Sequence, residues 1–186
     1  ESYAYIDSLG HHLDNVGLCP DFTNLVDGIV PDYFEGKTGM VAVIPSVRMV
    51  TSPGTDSNRY IWFLVKCIES VIQRSLRPFI LVHGGSHDKM LGLEVARMTS
   101  HRIDVVEESN PLFIKGILGN CSFVISSRFH GLVSALSQGV PCLATGWSHK
   151  YKYVMEDYGC PDFFIKEIDA FNEIHDRLDF LANESN

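Results

Sequence analysis

The sequence predicts an α/β fold, a Rossmann-like parallel sheet flanked by helices, on three observations. From about residue 41, short apolar runs alternate with longer stretches of helical periodicity. The order is strand then helix each time, the repeat that βαβ units require. Helix start and stop residues fall between the runs where such units need them.

Val41 to Ile44 is the first expected strand, ended by Pro45. After a loop rich in Ser, Thr, Pro and Gly, Ile61, Leu64, Val65, Ile68, Val71 and Ile72 fall on one helical face, predicting a helix over Asn58 to Leu76. Phe79 to His83 follows as a second strand. A Gly84-Gly85 turn then leads to a helix from His87 to Met98 with Ser86 as its cap. Ile103 to Val106 reads as the third strand. Ser109 or Asn110 as N-cap, with Pro111 at the first helical position, starts the next helix, and Gly119-Asn120 stops it. Ser122 to Ser126 is the fourth strand, Phe129 to Gln138 a helix closed by Gly139, and Cys142 to Ala144 the fifth strand after Pro141. Weaker patterns predict a helix over Tyr151 to Tyr158, a strand over Phe163 to Ile165 and a final helix over Ile168 to Leu181.

The first forty residues differ. Ser2 to Leu9 reads as a short helix, Val16 to Cys19 as a short strand, and Pro20 to Gly39 as an irregular connection. Residues 1–39 are therefore expected to be the tail of a preceding domain and a linker, with the Rossmann-like domain spanning 40–186 and the boundary near Gly36 to Gly39. A first residue of Glu rather than Met fits a fragment of a longer chain.

With 186 residues, 45% hydrophobic and 20% charged, the chain can bury a full core. It shows no membrane-length apolar run and no signal peptide, so a cytoplasmic location is expected. A formal net charge of -8 argues against a nucleic-acid partner, which would need clustered Lys and Arg. The cysteines Cys19, Cys67, Cys121, Cys142 and Cys160 are scattered, without C-x-x-C pairs or zinc-finger histidines, and read as free thiols in a reducing compartment.

In an open parallel sheet, ligands meet the carboxyl ends of the strands. Four groups of residues fall there: Ser46 and Arg48, then His83 with Gly84 and Gly85, then Ser126 to Gly131, then Thr145 to His149. The third group carries the most chemistry. Uncapped N–H groups at a helix start favour an anion, Ser126 and Ser127 add hydroxyls, Arg128 adds a planar fork of donors, and His130 exchanges protons near neutral pH. Gly131 would let another group approach the backbone. The competing reading is that a serine caps the helix, Arg128 pairs with an acid and His130 satisfies a carbonyl; the residues alone leave both open. Arg48 by itself reads as a solvated loop residue. His83 and His87 are separated by a turn, which disfavours a metal pair. Asp88 reads as a carboxylate favoured by the helix dipole. Trp147, His149, Lys150, Tyr151 and Lys152 form a polar-aromatic loop able to hold a sugar or simply to connect. Tyr5, Tyr33 and Tyr60 read as packing residues. No Walker loop, G-x-G-x-x-G or G-x-S-x-G is present.

The run Ile125-Ser-Ser-Arg-Phe-His-Gly131, continuing through Leu132-Val-Ser-Ala-Leu-Ser-Gln-Gly-Val-Pro141, resembles the signature of the polysaccharide pyruvyl transferase family. Cys19-Pro20-Asp21 within Asn15 to Phe22 is similar to the end of that family's first domain, and Val41 to Arg48 to the opening of its second. The segments Phe79 to Asp88 and Lys150 to Gly159 also have counterparts. His83-Gly84-Gly85 is more glycine-rich than the family's usual segment. The resemblance implies the C-terminal half of a two-domain enzyme similar to B-type glycosyltransferases. It implies transfer of the pyruvyl group of phosphoenolpyruvate to two hydroxyls of a sugar or glycan acceptor as a ketal, in cell-surface polysaccharide biosynthesis. No metal and no cofactor beyond the phosphoenolpyruvate donor are implied. Lipid-linked acceptors would bring such an enzyme to the inner membrane surface.

The same resemblance gives roles to the residues. Arg128 and Arg48 would hold the carboxylate and phosphate of the donor. His130 would bind it or act as acid-base, so His130 and Arg128 are the catalytic candidates. Ser127 and the Phe129 backbone would complete the pocket, and Ser46, His83, Ser126 and Gly131 are the remaining substrate-binding candidates. Two other functions share the architecture: a nucleotide-sugar-dependent glycosyltransferase, and a noncatalytic binding domain.

Overall fold

The structure is a computed structural model that describes residues 5, 6, 8, 9, 17, 19–52 and 56–184. The expected helix at residues 2–9 and strand at 16–19 fall largely outside these. Five strands, β1 (Met40–Ile44), β2 (Arg77–Val82), β3 (Val105–Glu107), β4 (Phe123–Ser126) and β5 (Cys142–Ala144), form one sheet in the order β3-β2-β1-β4-β5. Every pairing is parallel.

The helices are α1 (Arg48–Thr51), α2 (Ser57–Gln73), α3 (Ser86–Met98), α4 (Pro111–Gly119), α5 (Phe129–Leu136), α6 (Lys150–Asp157) and α7 (Phe171–Glu184). Strand residues alternate between two cores, as a sheet covered on both faces requires. Val41 and Val43 face Ile61, Leu64, Val65 and Ile68 of α2, Leu91 and Val95 of α3, and Leu178 of α7. Ala42 and Ile44 face Ile117 of α4, Leu132 of α5 and Met155 of α6. Each large aliphatic side chain of α2 buried in this way contributes about 2 kcal/mol. That burial fixes the helix more firmly than its intrinsic propensity could.

Start and stop signals act largely as the sequence implies. The Asn110 side chain accepts from the Leu112 N–H with Pro111 behind it, Asn120 ends α4, and Gly139 takes φ 75° after α5. Three local readings are corrected. Ser86 is the first residue of α3 rather than its cap; Gly85 occupies the cap position at φ 94° without a side-chain bond. Strand β3 starts at Val105, not Ile103. Phe163 to Ile165 forms no strand: Pro161–Phe163 is a 3-10 turn, and Phe164 makes a single parallel bridge to Ala144. Pro161 favours the turn, and β5 offers only three residues to pair with.

The segment before β1 carries two 3-10 turns, Phe22–Leu25 and Asp32–Phe34. It lies against α4, where the Ile29 N–H donates to the Leu112 carbonyl at 2.9 Å. Phe34 is buried, its ring centroid 5.5 Å from that of Phe79.

Candidate functional site

The strand order reverses direction at β1. The chain crosses from β1 to β2 and β3 on one side, then returns past β1 to β4 and β5. The loops leaving β1 and β4 therefore diverge, opening a crevice at the carboxyl edge. Register aligns the strand ends, with Ile44 opposite Ser126 and Ser126 opposite Ala144. Ser126 ends β4 at this edge, and Ser46, His83 and Ser127 to His130 follow strands there.

The β4–α5 junction is held from several sides. The Ser126 hydroxyl accepts from the Arg128 N–H and donates to the Arg128 carbonyl, both at 3.0 Å, closing the turn on itself. The Ser127 N–H donates to the Ile44 carbonyl, and the Ser127 carbonyl accepts from the Tyr151 hydroxyl at 3.0 Å. Tyr60, wholly buried, donates its hydroxyl proton to Ser127 Oγ at 2.8 Å and accepts the Ser46 N–H at 3.1 Å. It thereby ties the β1 loop to the β4 loop. Burial pushes the Tyr60 phenol above its ordinary range, which keeps it a proton donor. Arg128 sits at the N-cap of α5 without a side-chain cap. The helix start is thus left available to an anion.

Arg128 reaches across to the β2–α3 turn, where its guanidinium pairs with the Asp88 carboxylate. Asp88 is 1% exposed, and its other oxygen accepts the Val47 N–H at 2.8 Å. One buried carboxylate thus orients both Arg128 and the loop carrying Arg48. Asp88 lies in the first turn of α3, as the sequence implies, and tertiary contacts to Arg128 and Val47 hold it there as well. Gly84 makes this possible, because a Cβ there would fall on the Asp88–Arg128 pair. Arg128 Nε is buried without a hydrogen-bond partner. Burial foremost, and the Arg48 charge in addition, draws the Arg128 guanidinium below its ordinary range. Arg48 itself is exposed at the start of α1.

Two further buried polar atoms lack partners here, Ser46 Oγ and His83 Nε2, whereas Asp88 Oδ2 has the Arg128 guanidinium as its ion-pair partner. Burial, then the Arg128 and His130 charges, drives the His83 imidazole down to about 4. At neutral pH it is therefore an uncharged hydrogen-bonding group rather than a cation.

His130 lies at the mouth, its side chain 70% exposed, with Nε2 4.0 Å from the Asp21 carboxylate. Asp21 is held below the usual carboxylate range by bonds from Thr23, with a smaller contribution from His130. Phe129 stacks edge-on to both His130 and Tyr151. The close approach at Gly131 is made by the fold itself: a Cβ would stand 2.8 Å from Ile44 Cδ1 and 3.0 Å from Ser126 Oγ.

The structure thus brings Ser46, His83, Ser126, Ser127, Arg128 and the start of α5 together, with Arg48 and His130 at the rim. Sequence reading missed Asp88, Tyr60 and Asp21 as supporting groups. Tyr60 carried no signal, being one aromatic among many on an apolar helix face. Asp21 stood in the Cys-Pro-Asp run, and only folding sets it beside His130. A separate, mainly apolar groove of about 570 Å³ lies beyond Val47, between α2 and α3, and holds none of the three orphaned polar atoms.

Among solved structures, the glycosyltransferase SnogD from Streptomyces nogalater is similar over 85% of this chain and 42% of that chain, with a TM-score of 0.46 and 16% identity. The amylovoran biosynthesis protein AmsJ of Erwinia amylovora is 31% identical over 72 residues, which is 39% of this chain and 17% of that protein's length. The model of the family described as polysaccharide pyruvyl transferase matches residues 1–149, a stretch that contains β1 to β5 and every candidate site residue. By that match the chain belongs to the polysaccharide pyruvyl transferase family.

Proposed function

We propose that the crevice between β1 and β4 binds phosphoenolpyruvate and that the chain is the donor half of an enzyme transferring its pyruvyl group to a sugar diol. The observation that carries this reading is the set of buried, unpartnered polar atoms at one mouth: Ser46 Oγ, His83 Nε2 and Arg128 Nε. Buried polar groups in folded proteins are almost always satisfied, so three orphans in one crevice mark where a polar ligand belongs.

A compact polyanion suits this mouth. Arg128 is oriented by Asp88, Arg48 adds a second cation, and the start of α5 adds N–H groups. Arg128 and Arg48 divide the carboxylate and phosphate between them, with the Ser127 and Phe129 backbone along the wall. In the reaction, protonation of the methylene carbon makes the neighbouring carbon electrophilic. One sugar hydroxyl bonds to that carbon, phosphate leaves, and the second hydroxyl closes the ketal. His130, exposed at the rim beside ionised Asp21, exchanges the protons that the methylene gains and the hydroxyls lose. Neutral His83 serves as a hydrogen-bond partner in the floor.

Calorimetric titration of phosphoenolpyruvate into the chain tests the reading, with a nucleoside diphosphate for comparison. Arg128→Lys keeps a charge beside Asp88 but removes the planar fork, and weakens binding by about tenfold or more. Tighter binding of the nucleotide, or phosphoenolpyruvate binding indifferent to Arg128, overturns it.

A further inference from the structure

We infer that the loop leaving β5 is a shelf for the acceptor sugar, on which the pyranose ring rests against Trp147 with Lys150 and His130 reaching its hydroxyls. This rests on the donor reading above and goes beyond it, placing part of acceptor recognition in the same half of the enzyme.

Trp147 is 46% exposed at the edge of the sheet that carries the crevice. It continues the candidate site without a break. The Lys150 ammonium lies 4.5 Å from the Phe129 ring centroid and 5.5 Å from that of Trp147, and Phe129 meets His130 at 5.4 Å. The loop is also firmly based. Tyr151, 2% exposed, anchors its hydroxyl on the Ser127 carbonyl, and its ring fills the space where Gly146 would otherwise carry a Cβ. A shelf so tied cannot shift without disturbing the β4–α5 junction.

The chemistry of this surface matches a sugar. A pyranose presents C–H faces that pack on an aromatic ring and hydroxyls around its edge that need donors and acceptors. Trp147 offers the ring. Lys150 offers N–H donors. The reaction adds a constraint. One carbon of the donor bonds to two oxygens, so the reacting hydroxyls sit on adjacent or 1,3-related carbons, within reach of one group at the rim. A sugar lying on Trp147 brings its edge toward His130 across Phe129.

The chain contains two tryptophans, Trp62 and Trp147, so its indole N–H groups give two resonances, and Trp62 on α2 is the internal control. Methyl hexopyranosides with free 4- and 6-hydroxyls are titrated with and without phosphoenolpyruvate. The expected result is a saturable shift of the Trp147 resonance alone. Trp147→Ala and Lys150→Ala then weaken pyranoside binding about tenfold, read on the His130 ring resonances, with calorimetric phosphoenolpyruvate affinity unchanged; Trp147→Phe restores part of it. A Trp147 resonance unmoved in both conditions, or alanine variants binding pyranosides like the parent chain, overturns the shelf. Phosphoenolpyruvate binding without sugar binding sinks the shelf and leaves the donor reading standing. Sugar binding without phosphoenolpyruvate binding does the reverse.

Discussion

The β4–α5 and β2–α3 junctions sit two strands apart on the same edge of the sheet and are built in opposite ways. At the first, Ser126 satisfies the turn from within, and Tyr60, Tyr151 and the Ile44 carbonyl fix Ser127. At the second, Gly84 and Gly85 carry no side chains with which to close the turn. The difference teaches how the site is assembled. One junction supplies the guanidinium; the other supplies the space it occupies and, in Asp88, the carboxylate that orients it.

Removing the orienting carboxylate breaks this complementarity most severely. Asp88→Ala leaves the Arg128 guanidinium without its counter-ion and the Val47 N–H without its acceptor. Denaturant unfolding is expected to show a loss of about 3 kcal/mol, the scale for breaking a mostly buried pair. Unchanged stability would mean that solvent replaces Asp88 and that the two junctions are independent.

Filling the bare turn comes next. Gly84→Ala sets a methyl on the ion pair, and the side chains must move for it to fit. A loss of about 2 kcal/mol is expected, the range for overpacking a closed site, together with weakened phosphoenolpyruvate binding. The same substitution at Gly131 meets the ends of Ile44 and Ser126 and, at ordinary contact distance, Arg128 Cβ, so a larger effect there than at Gly84 would reverse the assignment of which junction supplies the space.

The smallest effect at neutral pH belongs to His83. Its folded value of about 4 lies below the ordinary 6.5, so between these values the unfolded chain binds more protons than the folded one. Its share of stability is therefore fully present above about pH 6.5 and is lost as pH falls toward 4. His83→Gln, which cannot titrate, is expected to flatten the fall of Tm across that window. Parallel Tm curves for the two proteins would show that His83 is not held neutral by its surroundings.

Much of the architecture was legible because it follows from local rules. The apolar face of α2, the Asn110-Pro111 start of α4, the Gly139 stop after α5 and the short β5 all depend on neighbours in sequence. The weak point was Phe163 to Ile165, where an apolar run of strand character lacks a long enough neighbour and makes one bridge. In the site, Arg128, His130 and the serines were legible as chemistry at a strand end. Their supports were not. Asp88 looks the same in sequence whether it is solvated in a first turn or buried against an arginine forty residues away, and Tyr60 looks like any core aromatic.

The alternation of strands and helices, the edge at which polar residues gather and a family signature at the β4–α5 junction are all written locally in the chain, because periodicity, caps and turns act over a few residues. It took long-range contacts to send the chain beyond β1 and beyond β4 to opposite sides of the sheet, to turn Arg128 over Gly84 toward Asp88, and to join Trp147 and Lys150 to His130 through Phe129. Those relations come from strand order and from burial of charge, and both depend on which distant segments the chain brings into contact.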